Sequence, residues 1–300
     1  MLNIATNMSY EAAPFEAPFF RRTASVPAFR LTCSDEAEIL RFLAVNPVQT
    51  VVMSSYIADN GIESELNRGT FYGHRAPDGS LDGVALIGHS TLVEARSDEA
   101  MTALAFAATE TEVPVHLIMS NDDDAESFFE QMTDGVSKPR LRCVEARFEA
   151  AFPFAVQSSD YAVGNADMSQ LEAVAKAQAE IAFIECGVDP MLRDREGFLK
   201  RVARRIDQNR VFSVVEDGKL LFKADIIAET DETIYLEGIY VDPDLRGKGV
   251  GPRCLAALTV QLLSRVPNIC LLSNVDFINA HKSYLKAGYR RTGQCVTLFV

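Results

Sequence analysis

Tryptophan is absent from the 300-residue chain and histidine is limited to four positions. His74, His89 and His116 are too dispersed for any sequence spacing to pair them as metal ligands, and no metal is expected. The six cysteines are scattered, with no C-x-x-C, so buried reduced thiols are expected rather than a disulfide framework or a metal site. Long apolar runs are missing too. Stretches such as 103–108 and 255–263 are short or interrupted, well under the roughly 18 consecutive apolar residues of a bilayer helix, so no membrane association is expected. The N-terminus lacks the order of basic flank, apolar run and small-residue cleavage site, which points to a cytosolic protein. Basic residues are in deficit, 29 against 42 acidic, for a net charge of −13. That disfavours broad nucleic-acid or anionic-lipid binding, so a phosphate ligand would have to be met locally.

What is present is an ordinary globular composition, 48% hydrophobic and 24% charged, at a length suited to two domains of about 150 residues each. The opening through Arg30 has no sustained period and reads as irregular, with a strand beginning near Phe29. Ser34 followed by acidic residues reads as a helix start, ended by Asn46-Pro47. Residues 69–94 look sheet-like, with a hairpin at Pro77-Asp78-Gly79, and Ser97 caps a helix to about Ala108. A buried strand at 115–119, a helix at 124–133 and an alternating strand through Val144, Ala146 and Phe148 close the first half. The polar stretch near residue 157 divides 1–157 from 158–300. The second half reads as two helices, 168–184 and 193–209, then strands 211–216, 220–228 and 233–241. A Gly-rich turn, a helix from Pro252 to about Arg265, a strand at 269–274, a helix at 278–287 and a strand at 294–300 follow.

The informative segment is Gly238-Ile239-Tyr240-Val241-Asp242-Pro243-Asp244-Leu245-Arg246-Gly247-Lys248-Gly249-Val250-Gly251-Pro252. An apolar strand enters a turn whose glycines leave amides uncovered at a helix start, a concave anion site to which Arg246 and Lys248 add positive charge. The dinucleotide fingerprint fails because Pro252 stands where its third glycine belongs, and the P-loop pattern fails because Gly249 follows Lys248 where Ser or Thr is needed. Gly88-His89-Ser90-Thr91-Leu92 falls short of a nucleophile elbow at Leu92, and a strand is expected to continue through it. Asn121-Asp122-Asp123-Asp124 lacks the spaced ligands of a calcium loop.

Arg246-x-x-Gly249-x-Gly251 between a strand and its helix resembles the pyrophosphate motif of the GNAT superfamily of acetyl-CoA-dependent N-acetyltransferases. Downstream, Asn274 closing the next strand, Ala280 and Tyr284 one helical turn apart, and Gly288-Tyr289 are similar to that superfamily in register, so the resemblance covers residues 165–300. It implies the acyl-CoA N-acyltransferase fold, α+β with a mixed, mostly antiparallel sheet flanked by helices. It also implies acetyl-CoA as cosubstrate and a small primary amine, or a peptide amine, as acceptor. Ile239, Tyr240 and Val241 would meet the pantetheine arm, and Arg246, Gly247, Lys248, Gly249, Val250 and Gly251 the pyrophosphate, with Asn274 beside the coenzyme. Glu237 is then the candidate base, directly or through water, Tyr284 the general acid, and Glu185 a contact to the acceptor. Phe277 departs from the pattern where a second Asn is usual, with Asn279 as a possible substitute. Asp225 and Glu229 read as exposed strand positions, and His281 as a helix-surface residue. The first half repeats the hairpin, helix and strand without a Gly-rich turn before Ser97, resembling two-domain bacterial members with a degenerate, non-catalytic first unit. The alternative is a non-catalytic acyl-CoA-binding or scaffold module.

Overall fold

The computed structural model describes residues 26–121, 123–154 and 161–300. In the first half β1 (Phe29–Arg30), α1 (Glu36–Leu43) and α2 (Val51–Asn60) precede three strands, β2 (Gly69–Arg75), β3 (Leu81–Gly88) and β4 (Ser90–Ala95). Then come α3 (Asp98–Glu110), β5 (Leu117–Asn121), α4 (Asp124–Met132) and β6 (Leu141–Ala151). The second half repeats the succession: β7 (Gly164–Asn165), α5 (Leu171–Cys186), α6 (Pro190–Arg193), α7 (Arg195–Asp207), β8 (Val211–Glu216), β9 (Lys219–Glu229) and β10 (Thr233–Val241). α8 (Val250–Leu262), β11 (Asn268–Asn274), α9 (Ile278–Lys286) and β12 (Arg290–Phe299) complete it.

Side-chain caps mark several helix starts. Ser97 accepts the amide of Ala100 at α3, Asp189 that of Met191 at α6 with Pro190 in the first turn, and Asp194 that of Gly197 at α7. Gly187, left-handed at φ +72°, ends α5 and donates its amide to Phe183.

The strands form one sheet in the order β1-β2-β3-β4-β5-β12-β6-β11-β10-β9-β8-β7. Only β4 with β5 and β10 with β11 run parallel among the described pairs. The closing strands are exchanged between the halves. β6, from the first half, lies between β11 and β12, whereas β12, the last strand of the chain, pairs with β5 of the first half. The cores record the same exchange. Ala146, Phe148 and Ala150 of β6 are buried with Phe222, Leu236, Leu255 and Tyr284 of the second half. Val296 and Leu298 of β12 are buried with Ile118, Leu104 and Phe128 of the first. α2 also crosses over, seating Val51 against Ala228, Tyr235 and Cys270.

The expected boundary near residue 157 lies outside the described residues, as does the irregular opening up to residue 25. Three expectations are corrected, and one helix is added. The strand does not continue through Gly88-His89-Ser90: β3 ends at Gly88, and β4 starts at Ser90 and turns back antiparallel. α2 had no assignment, since Ser and β-branched residues give its first turns weak helix propensity and packing against the sheet holds it. α8 begins at Val250, so Pro252 is its third residue, where the missing amide proton still costs no intrahelical bond. Cys33 is exposed rather than buried. No helix among the described residues is long and apolar enough to cross a membrane.

Candidate active site

β10 and β11 pair in parallel from Thr233 opposite Asn268 to Leu236 opposite Leu271, and there the pairing stops. β11 runs on to Asn274 alongside β6, while β10 bulges away from β9 between Glu237 and Tyr240. The two strands therefore open like a wedge, leaving Gly238 and Ile239 with no strand partner on either side. A buried lysine holds the bulge. Lys223 Nζ donates to the Gly238 carbonyl at 2.9 Å and to Gln178 Oε1 at 2.7 Å, and it pairs with Asp225 Oδ1 at 2.9 Å. Gly238 has φ +60°, and a Cβ there would lie 2.6 Å from Gln178 Oε1 and 2.7 Å from Lys223 Nζ, so glycine is required twice over.

Beyond the wedge, Asp242 accepts the amide of Asp244 and pairs with Lys219, setting the direction of the turn. Gly247 and Gly249 are left-handed, at φ +79° and +78°, and a Cβ on either would meet nothing within 4 Å. Gly249 caps α8 with no side chain, so the first-turn amides face an open surface. Gly251 is different: a Cβ there would come within 2.9 Å of Val241 Cγ2, because α8 sits close on β10. Arg246 braces the turn, donating from Nε to the Val241 carbonyl at 3.0 Å and pairing with Glu180 on α5 at 2.9 Å, with its guanidinium over the Tyr240 ring. Lys248 is exposed. The seat suits a pyrophosphate through its backbone, with Lys248 as the uncommitted cation.

The equivalent connection in the first half, from β4 to α3, is closed. Ser97 Oγ accepts the Ala100 amide at 3.0 Å and donates to Asp82 at 2.7 Å, and Asp98 and Glu99 occupy the first turn. Arg96 turns inward, donating to the Phe42 carbonyl at 2.8 Å. An anion arriving there would meet carboxylates instead of free amides.

Below the wedge, Tyr284 on α9 is buried with its ring 5.4 Å from that of Phe148. Burial pushes its pKa up to about 12, and the charge of Glu185 adds to the shift. On the opposite face stand three carboxylates. Glu237 accepts the Tyr235 hydroxyl at 2.5 Å. Glu185, at the end of α5, is open to the cleft yet crowded by protein, and it is pushed up to about 7 by desolvation and by the charges of Glu237 and Glu145. Glu145, on the exchanged strand β6, is pushed up to about 7 by burial and by Glu237, while the Thr297 hydroxyl, donating at 3.0 Å, opposes the shift. Tyr56 of α2 feels Glu237 as well, its phenol raised first by burial and then by that charge.

Glu237, Glu185 and Tyr284 thus converge on the wedge, and Ile239, Tyr240, Val241 and the turn from Arg246 to Gly251 line its end toward α8. Asn274 is occupied locally, its Oδ1 accepting the Asp276 amide at 2.9 Å and its carbonyl meeting His281 Nε2. Its side chain shapes the entry to α9. Asp225 is buried, not exposed, between Lys223 and Arg205, and Glu229 pairs with Arg265. His281 packs on Phe148 and is half-buried. Glu145 and Tyr56 escaped the sequence reading because both belong to the first half, and only the exchange of β6 and the crossing of α2 bring them here. The rings of His89 and His116 do meet, 4.7 Å apart, but no metal-competent group exists among the described residues.

Residues 207–291 match the family model described as an acetyltransferase (GNAT) domain. No curated protein matches the sequence significantly. Among solved structures, a Drosophila protein is similar with a TM-score of 0.66 at 11% identity, over 92% of this chain and 99% of that one. A tandem GNAT protein from the clavulanic acid biosynthesis pathway is similar with a TM-score of 0.59 at 12% identity, covering 92% and 98%. A GNAT-family acetyltransferase from Colwellia psychrerythraea gives 0.56 at 14%, covering 91% and 98%. The sheet, its wedge and the helices around it are the fold of the GNAT-superfamily acetyltransferases.

Proposed function

We propose that the protein is an acyl-CoA-dependent N-acyltransferase with one active site per chain, a tandem of two GNAT-like units of which the first has given up coenzyme binding. What carries this reading is the meeting, at the end of β10, of a strand opening with unpaired main chain, an uncapped helix start behind Gly249, and a buried tyrosine hydroxyl beneath. Bound acetyl-CoA supplies an acyl group activated as a thioester. The turn from Arg246 to Gly251 receives its pyrophosphate through amides other than those of Arg246 and Lys248, which donate to the Pro243 and Leu245 carbonyls, and the main chain of Ile239 to Val241 receives the pantetheine arm. The acceptor is a primary amine, which must lose a proton before its nitrogen can attack. Glu237, held by Tyr235 at the wedge, takes that proton directly or through water. Tyr284, with its pKa near 12, keeps its own proton at neutral pH and delivers it to the departing sulfur.

Acetyl-CoA-dependent thiol release measured over a panel of primary amines tests this, together with calorimetric titration of the coenzyme. Tyr284→Phe is expected to lower kcat about 100-fold and to leave coenzyme binding in place. Undiminished turnover in Tyr284→Phe rules out the proton-donor role. Bound coenzyme without turnover of any amine identifies a binding module instead.

A further inference from the structure

Glu145 reaches the wedge from the first half of the chain, opposite Asn274 of β11 on one side and Cys295 of β12 on the other. Its face of the sheet is that of Glu237, since Tyr235 and Cys270 are paired in β10 and β11, and Cys270 stands opposite Glu149 of β6. The Thr297 hydroxyl donates to Oε2, and among the described residues no hydrogen bond engages Oε1. The cations nearby are committed. Lys223 donates to Gln178 and the Gly238 carbonyl and pairs with Asp225, and Arg147, two residues along β6, is held by Asn121 and Glu149. Among the described residues, none of Glu145, Glu185 and Glu237 forms an ion pair. The wedge, the coenzyme turn and Tyr284 locate the acceptor space independently of these carboxylates. Within it, Glu145 lies two strands from Glu237 and two residues further along, since Leu271 faces both Leu236 and Phe148 whereas Glu145 faces Asn274, which puts the two backbones about 12 Å apart.

We propose that Glu145, supplied by the first half on the exchanged strand, is a specificity-determining residue of the acceptor pocket, binding a second cationic group of the acceptor while the reacting nitrogen faces Glu237. The acceptor class is then a small diamine or polyamine rather than a monoamine. The inference rests on the acyltransferase reading for the place of the reacting nitrogen. Its core claim, a cation subsite at Glu145, is measured by binding alone. A carboxylate kept partly protonated near neutral pH by burial, and then by the charge of Glu237, ionises fully when a cation arrives, so the subsite discriminates through charge rather than shape.

The test compares cadaverine with n-pentylamine, equal in length and differing in one amine, titrated calorimetrically into the full chain with coenzyme A present at pH 8. Native protein is expected to favour cadaverine at least 10-fold, Glu145→Gln to bring that ratio toward one, and Glu145→Asp, which keeps the charge, to retain most of it. A native ratio near one, or a ratio that survives Glu145→Gln, overturns the proposal. Turnover of both amines is followed in parallel. Acetylation without a cadaverine preference refutes the subsite and leaves the acyltransferase reading standing. A cadaverine preference without acetylation of either amine does the reverse.

Discussion

Replacing Lys223 by Met probes the device that holds the wedge open. Lys223 is entirely buried and its partner Asp225 is 3% exposed, so removing the ammonium strands a carboxylate in the interior. Breaking a buried pair from one side costs about 3–5 kcal/mol. Arg205, 3.4 Å from Asp225, keeps part of the compensation, which places the loss near the lower end, about 3 kcal/mol. At about 2 °C per kcal/mol for a long chain, the midpoint of thermal unfolding should drop by about 6 °C. The double variant Lys223→Met with Asp225→Leu replaces both charges by apolar groups and should recover most of that loss, because such replacements are close to neutral. Activity should not recover with it. The Gly238 carbonyl has lost its donor in both variants, so the bulge that presents the main chain of β10 relaxes, and kcat/KM stays depressed alike in single and double. Circular-dichroism melts and thiol-release assays on the three proteins decide the matter. A single variant that melts within 1 °C of native, or a double variant that regains activity along with stability, refutes the reasoning.

Gly249→Trp places a side chain on a left-handed residue in the mouth of the coenzyme turn, and it is expected to weaken acetyl-CoA at least 10-fold in calorimetric titration; unchanged affinity would mean the pyrophosphate sits elsewhere. Stability should also depend on pH through Glu145. Its carboxyl titrates near 4.5 when unfolded and at about 7 when folded, so its stabilising contribution is complete below pH 4.5 and is lost as pH rises through 7. The difference is on the order of 3 kcal/mol. Glu145→Gln resembles the protonated form at every pH, so it should melt with the native protein below pH 4.5 and above it by several degrees at pH 8. An equal gap at both pH values contradicts the raised pKa.

Hairpin and helix signals were legible where the chemistry is local. Asp78-Gly79 and Asp217-Gly218 turn strands, Ser97 caps α3, and the spacing from Gly249 through Asn274 to Tyr284 places turn, strand and helix in register. The turn at His89 was not legible because Val84 to Ile87 on one side of it and Leu92 and Val93 on the other are apolar. Gly88 is the residue that permits the turn, with a Cβ there falling 2.4 Å from the Arg68 carbonyl. Asp225 misread as surface because strand alternation cannot say that α5 and α7 cover that face. Glu145 was invisible as a site residue for a deeper reason. Its strand reads correctly as an alternating closing strand, but no local pattern reveals which half of the sheet it closes.

The exchange also ties the core of the second half to the first. Residues 165–300 alone would leave β11 as an open edge and remove Ala146, Phe148 and Ala150 from their core. Burial of Phe148 by itself contributes about 1.5–3 kcal/mol. The second half thus depends on the first for a strand, for the α2 contact at Val51 and for the carboxylate at the far wall of the wedge, and none of these needs a coenzyme bound near Ser97. A change in β6 or α2 therefore reaches the core of the second half, whereas the connection from β4 to α3, capped by Ser97, takes no part in these contacts.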